Sequence, residues 1–410
     1  MKYVPVKLLN VSLAFGDTPL EVGRLAIIRR KIYFEYSPSF IAGGLEISPA
    51  KLPLQSGAKA PVTNIFDGLF GVFNDSLPDG WGRLLLDRQV QARGIPPEKL
   101  GPLDRLTHVG KFGMGALVYE PSEPHISKHP QQLDLDRLAE ESTRISEGEV
   151  EQISTELLEL AGSSAGARPK IMVGISDDLN QFIHGQQDLP DGFEHWMIKF
   201  MSNQDRKDSG NIEYAYSLMA KAAGIEMMPT RLFSAKKGVG YFGVKRFDRV
   251  LNRRVHMHSL SGLIDANHQM PSIDYDQLLR ATYFLTKDIG EVKRAFRLAC
   301  FNVFARNRDD HAKNFAFLMD GNGKWRLSPA YDLTFSSGPG GEHCTTVLGE
   351  GRAPDSTHLL ALAATFSIPA KEAKKVIEQV RSVVADWKEY AEIAGVKRGA
   401  TTLIAKEISS

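Results

Sequence analysis

The chain of 410 residues holds only two cysteines, Cys300 and Cys344, which cannot build a disulfide framework. No Cys-x-x-Cys pair exists, so the common structural zinc arrangements are excluded. No apolar run approaches the length of a membrane span, and the opening Met-Lys-Tyr-Val-Pro-Val-Lys lacks an apolar core of signal-peptide length. A cytoplasmic chain with no membrane contact is therefore expected. Net charge is also scarce: 50 basic against 49 acidic residues leave a formal +1. That balance argues against a protein whose main task is coating nucleic acid, though it allows a local basic face. Internal repeats and low-complexity tracts are absent as well. What remains, 42% hydrophobic and 24% charged residues, describes a folded protein too long for a single core.

Alternating segments at Tyr3–Leu9, Leu25–Ile28 and Ile32–Tyr36 predict short strands. Asn74-Asp-Ser-Leu-Pro-Asp-Gly predicts a turn entering a helix at Trp81, and Gly115–Tyr119 a further strand. Pro121, Pro124 and Pro130 mark a boundary. Leu133–Leu160 has helical spacing that Gly162 would stop. Strands follow at Pro169–Gly174, His195–Phe200 and Tyr241–Phe247, around a helix over Asn211–Ala223, and from about Leu278 the pattern is mostly helical. The expected parts are residues 1–125, a β-rich 126–250 and a helical 251–410.

The most informative stretch is Asn307-Arg-Asp-Asp-His-Ala-Lys-Asn314, followed by Ser328-Pro-Ala-Tyr-Asp332-Leu. An Asp, an Asn five residues later and a second Asp beyond an apolar segment is the order protein kinases use. There the first Asp receives the proton of the attacking hydroxyl, while the Asn and second Asp hold Mg²⁺ against ATP. Asp309, Asn314 and Asp332 fill those places. Asp309 and Asp310 could instead be a polar loop capping the preceding helix, and His311 reads equally as structural or catalytic.

Upstream, Lys199 ends the apolar strand Trp196-Met-Ile-Lys, where a lysine is costly unless it holds something. It suits the kinase lysine that grips phosphates, with Glu213 as a helix partner; the plain alternative is a strand end. The loop Gly162-Ser-Ser-Ala-Gly-Ala-Arg-Pro-Lys170 has the small residues a phosphate cradle needs, but neither the Walker pattern nor Gly-x-Gly-x-x-Gly. Alone it reads as a helix-to-strand turn. Val244-Lys-Arg-Phe-Asp-Arg249 suits an adenine hinge. With Lys236, Lys237, Arg253 and Arg254 it also forms a basic tract, read as a hairpin with a solvated basic face or, less simply, a nucleic-acid contact.

Together these motifs, with Phe73-Asn-Asp-Ser-Leu-Pro-Asp-Gly and Val109-Gly-Lys-Phe-Gly-Met-Gly-Ala-Leu, strongly resemble the HipA family of serine/threonine kinases, toxins of type II toxin–antitoxin systems. The resemblance covers essentially the whole chain. It implies an α+β, two-lobed protein-kinase-like fold, with a small β-rich N-terminal domain and a mostly helical C-terminal lobe. It implies ATP and Mg²⁺, with Asp309 as base, Asn314 and Asp332 as metal ligands and Lys199 on the phosphates. Ser163, Ser164, Ala165, Gly166, Ala167, Lys170, Arg246, Phe247 and His311 complete the implied ATP site. Ser163, or Ser164 beside it, would be autophosphorylated, placing negative charge where ATP phosphates bind.

The implied partner is a HipB-like helix-turn-helix antitoxin that carries most of the DNA contact. Toxin members often target an aminoacyl-tRNA synthetase, a substrate that no residue here specifies. Two departures stand out: Lys245 where some relatives place a glutamate, and His256-Met-His-Ser-Leu-Ser-Gly in place of an acidic segment. The alternatives are a catalytically weak, kinase-shaped co-repressor and a small-molecule phosphotransferase.

Overall fold

The computed structural model describes residues 3–122, 132–149, 152–161, 166–186, 188–202, 205–236, 238–268 and 270–409. The chain forms two compact units. The first comprises Met1–Lys207, Phe233–His258 and Asp320–Gly323; the second comprises Asp208–Leu232, Ser259–Met319 and Lys324–Ser410.

In the first unit, β1 (Leu8–Leu13), β2 (Leu20–Ile28), β3 (Lys31–Tyr36) and β4 (Leu117–Glu120) form a sheet in the order β3-β2-β1-β4. Alternation drives it: Leu9, Val11 and Leu13 are buried while Leu8 and Asn10 face out. The strand expected from Tyr3 starts only at Leu8, because Pro5 lacks an N–H and Val6 N donates to Asp104 at 2.8 Å instead of to a strand.

A second antiparallel array joins β5 (Lys170–Ser176), β6 (Phe182–His184), β7 (Phe193–Lys199) and the strand Tyr241–Lys245, in the order β6-β5-β7-Tyr241–Lys245. Every residue of β5 is buried, as its apolar run requires. Trp81 and Leu85 from helix Gly80–Ala92 and Leu138 and Ile145 from helix Leu135–Ser146 pack with Ile171, Val173, Ile175 and Ile198. Each such side chain contributes roughly 1.5–3 kcal/mol. The single helix expected over 133–160 is two, Leu135–Ser146 and Thr155–Ala161. Gly148, at φ +77°, turns the chain out of the first, its N–H bonding back to Ile145 O at 3.1 Å. Gly162 itself lies outside the described residues.

The second unit is mainly helical. Asp274 caps Tyr275–Thr286, accepting from Asp276 N at 2.8 Å, while Gln277 returns a bond to Asp274 N at 2.9 Å. Helix Ile289–Phe304 packs against Tyr275–Thr286 and Ala370–Ala385, and its Ala295, Ala299, Cys300 and Phe301 are wholly buried. Cys300 is thus the small core side chain expected of it. Two short strands, Ala316–Met319 and Trp325–Leu327, pair antiparallel with Phe317 opposite Leu327. This mixed architecture, with early sheets and a helical later part, is the α+β arrangement expected. No helix among the described residues is long and apolar enough to cross a membrane.

Candidate active site

In the second unit the chain leaves helix Ile289–Phe304 through Arg306, which sits at φ +52°, a left-handed conformation that costs a side-chain-bearing residue about 1 kcal/mol or more. Asn307 then turns inward, bonding Asn302 O through its N–H at 3.0 Å and Asn302 Oδ1 through Nδ2 at 3.0 Å. The two aspartates that follow part company: Asp309 is exposed, whereas Asp310 is completely buried. Asn314 folds back so that its Nδ2 donates to Asp309 O at 2.7 Å, which leaves Oδ1 as the oxygen its side chain can offer a cation. His311 Nδ1 is buried without a hydrogen-bond partner among the described residues, and its ring stands 6.0 Å from that of His268.

Hairpin pairing accounts for Asp332. The loop ending at Asn314 runs into strand Ala316–Met319, and Asp332 follows strand Trp325–Leu327. Antiparallel pairing returns the chain to the end where it began, with Ser328 N donating to Ala316 O at 2.9 Å. Tyr331 Oη then bonds Lys313 O at 2.5 Å, tying the residue before Asp332 to the residue before Asn314. Asp332 itself has φ +53°, a left-handed conformation of the kind that clusters at functional sites.

In the first unit, the β5–β7 register sets Lys170 directly opposite Lys199. Register partners share a face of the sheet, and opposed like charges are unfavourable in a purely structural role. Lys170 is 5% exposed, and Lys199 Nζ lies 5.7 Å from the centre of the Phe242 ring. Gly166, at φ +91°, lies against the Lys170 ammonium where a side chain would otherwise stand. Asp79 accepts the Gly166 N–H, and Trp81 N donates to Gly166 O at 3.0 Å. Gly80 permits this approach: a Cβ there would lie 2.6 Å from Ala167 Cα. Asp79 and Gly80 were legible only as a turn before a helix. Ser163, Ser164 and Ala165 lie outside the described residues.

The Arg246-Phe-Asp-Arg tract differs from a solvated basic face. Asp248, fully buried, accepts from Arg246 Nε at 2.9 Å and Nη2 at 2.8 Å, from Arg249 Nη1 at 2.7 Å and from Gly115 N at 2.8 Å. Arg254 adds bonds to the carbonyls of Lys111, Gly113 and Gly115 at 2.8, 2.7 and 3.0 Å. Burial alone would raise the Asp248 pKa, but Arg246 and Arg249 overcome it and hold the carboxyl well below its ordinary range. Arg246 is thus occupied as a side chain, and its N–H donates to His195 O at 2.9 Å. Phe247 is buried beside it.

Lys245 pairs with Glu194. His256 Nε2 meets Ile47 O at 2.9 Å, and His258 bridges Asp75 (2.7 Å) and Ser48 (2.9 Å). The Ser48–His258–Asp75 chain has the order of a hydrolytic triad, but Ser48 is 1% exposed and no substrate can reach it.

The sequence-derived residues thus fall in two sets. Asp309, His311, Asn314 and Asp332 belong to the second unit, with Glu213; Gly166, Ala167, Lys170, Lys199, Arg246 and Phe247 belong to the first.

The HipA N-terminal domain model matches residues 17–120, and the HipA-like C-terminal domain model matches residues 162–387. The structure of the Shewanella oneidensis MR-1 toxin–antitoxin complex of HipA, HipB and operator DNA is similar with a TM-score of 0.71 at 16% identity, covering 97% of this chain and 95% of that one. That likeness is one of fold. A Helicobacter pylori proinflammatory kinase, CtkA, aligns at 13% identity over 53% of this chain and 92% of its own, with a TM-score of 0.32 that is too low to bear on the fold. With one domain model spanning more than half the chain and a second matching the sheet-rich part before it, the chain belongs to the HipA family.

Proposed function

We propose that the chain is an ATP- and Mg²⁺-dependent protein serine/threonine kinase, the toxin half of a type II toxin–antitoxin module. The observation that carries this reading is an exposed Asp309 whose carbonyl is held by Asn314, on a loop tied through Tyr331 to a left-handed Asp332. In this reading Asp309 orients a substrate hydroxyl and accepts its proton as the oxygen attacks the γ-phosphorus. Asn314 Oδ1 and the Asp332 carboxylate would hold Mg²⁺, which supplies neutralisation of charge building on the phosphate oxygens. Among the described residues no group of three or more His, Cys, Asp or Glu could hold a metal ion. Two hard oxygens nonetheless fit magnesium, which takes one or two protein oxygens and completes its shell with phosphate and water.

Lys170 and Lys199 would hold the nucleotide phosphates, alongside the backbone of Gly166 and Ala167. With the Arg246 guanidinium occupied by Asp248, an adenine hinge at Arg246–Phe247 would rest on backbone atoms. Ser163, or Ser164, is the proposed autophosphorylation site, and His311 lines the nucleotide. The proposed partner is a HipB-like helix-turn-helix antitoxin, through which operator DNA is contacted, and the substrate is a cellular protein. The similarity to a HipA solved with HipB and operator DNA supports that assignment.

The test is to incubate purified protein with ATP and Mg²⁺ and map phosphosites by mass spectrometry beside an Asp309→Ala control. Asp309-dependent phosphate on Ser163, Ser164 or a lysate protein is expected. Its complete absence would sink the kinase reading. Antitoxin and DNA association that survives such an inactive chain would point to a co-repressor, and phosphate found only on small molecules to the other alternative.

A further inference from the structure

We infer that Asp310 is a positioning residue: a buried carboxylate that clamps the segment Ser336–Thr345 onto the loop presenting Asp309. The catalytic consequence rests on the kinase reading above, whereas the clamp itself rests on contacts alone. Asp310 uses both oxygens. Oδ2 accepts from Tyr275 Oη at 2.7 Å and from His343 Nδ1 at 2.9 Å, and Oδ1 accepts from Thr345 N at 3.2 Å. Thr345 Oγ1 also donates to the Asp310 carbonyl. Behind it, Asn302 Nδ2 donates to Tyr275 Oη at 2.9 Å, and Asn307 Nδ2 to Asn302 Oδ1 at 3.0 Å. One hydrogen-bonded chain thus joins helix Ile289–Phe304, helix Tyr275–Thr286 and both flanks of the Asp309 loop.

Bonds to neighbouring backbone complete the seam. Ser336 N donates to Arg306 O at 3.1 Å, Cys344 N to Arg308 O at 3.1 Å, and Arg308 Nη1 to Ser337 O at 3.3 Å. A fully buried carboxylate is costly wherever it is not satisfied, and an apolar side chain would fill the same volume. What the carboxylate adds is direction: each of its donors fixes a point on the chain that carries Asp309. Kinases commonly order the segment beyond their metal-binding aspartate by phosphorylating it and pairing the phosphate with arginine. Here the polarity is reversed. The anion, Asp310, is built into the loop, and the donors, His343 and Thr345, stand on the segment. No modification of Ser336–Thr345 is then needed to set the loop.

The experiment uses the full-length chain as wild type, Asp309→Ala, Tyr275→Phe, His343→Leu and His343→Gln. Hydrogen exchange is followed over residues 307–314 and 336–346, with autophosphorylation from Mg-ATP and affinity for a fluorescent ATP analogue measured in parallel. Tyr275→Phe and His343→Leu should speed exchange in both stretches and lower Asp309-dependent turnover about tenfold to a hundredfold. Analogue affinity should fall far less than turnover, because in the kinase reading Lys170 and Lys199, outside this loop, hold the phosphates. His343→Gln, whose amide still donates to Asp310, should recover most of the rate. Tyr275→Phe keeps the ring in place, so the test survives if His343→Leu does not fold. Unchanged exchange over 336–346 overturns the clamp, and so does a rate loss matched by an equal loss of analogue affinity. If wild type gains no Asp309-dependent phosphate, the kinase reading falls, and the exchange data still decide the clamp.

Discussion

Replacing Asp248 by Asn tests whether the Arg-Phe-Asp-Arg tract is an internal charge lock. The side chains of Asp248, Arg246 and Arg249 are 0%, 2% and 8% exposed, so solvent screens none of the pairings. Burial and the neighbouring Arg246 already press the Arg249 pKa well below its ordinary value, and burial brings Arg254 to about 10. The carboxylate offsets this. Asn keeps the shape but offers one acceptor oxygen, and it turns an N–H toward guanidinium donors. Breaking a buried pair while leaving its partner charged costs about 3–5 kcal/mol, a fall in melting temperature on the order of 10 °C for a unit of this size. Differential scanning calorimetry at neutral pH measures it, with Arg83→Ala as a surface control. Arg83 lies 3.6 Å from Asp87 but is 59% exposed. Its loss should cost less than about 1 kcal/mol. A loss below about 1 kcal/mol for Asp248→Asn would refute the lock. Arg249→Met added to Asp248→Asn should recover part of the loss, because the stranded cation is then gone.

Gly80→Ala should destabilise the first unit by about 1–3 kcal/mol and weaken ATP binding, because the added methyl meets the Gly166–Ala167 backbone at a residue with φ +43°. Unchanged melting and unchanged ATP-analogue affinity would count against that close approach. Asn314→Ala should leave the fold intact but lower turnover about a hundredfold or more, since both the bond to Asp309 O and a metal oxygen are removed; a kinetic assay with Mg-ATP reads it. Burial lowers the pKa values of His195 and His256 to about 4, against about 6.5 for an unfolded ring. Between those values the unfolded chain binds more protons, so this stability is fully present above about pH 6.5 and is lost as pH falls toward 4, on the order of 3 kcal/mol per histidine. Urea unfolding at pH 7 and pH 5 checks the sign, and equal midpoints would rule the effect out.

How far the sequence could be read depended on whether a signal was local. Period-two alternation marked β3, and the Pro-Asp-Gly turn marked the start of helix Gly80–Ala92, because those signals lie within one element. The helix break at Gly148 was missed because apolar spacing continues across it into Thr155–Ala161. The basic tract misled for a different reason. Arg246, Arg249 and Arg254 look solvated in sequence, and what buries them is a set of carbonyls from residues 111–115 more than a hundred positions upstream, gathered around Asp248.

The Asp309–Asp310 pair is the clearest case. Two adjacent aspartates are indistinguishable by composition, and only the kinase order favours the first. What separates them is that Tyr275, His343 and Thr345 converge on Asp310 from more than thirty residues away, while Asp309 stays exposed. A side chain enclosed by donors cannot approach a substrate hydroxyl. In the proposed kinase reading the fold therefore leaves Asp309 as the one of the two open to a substrate, and makes Asp310 the reason it stays in place.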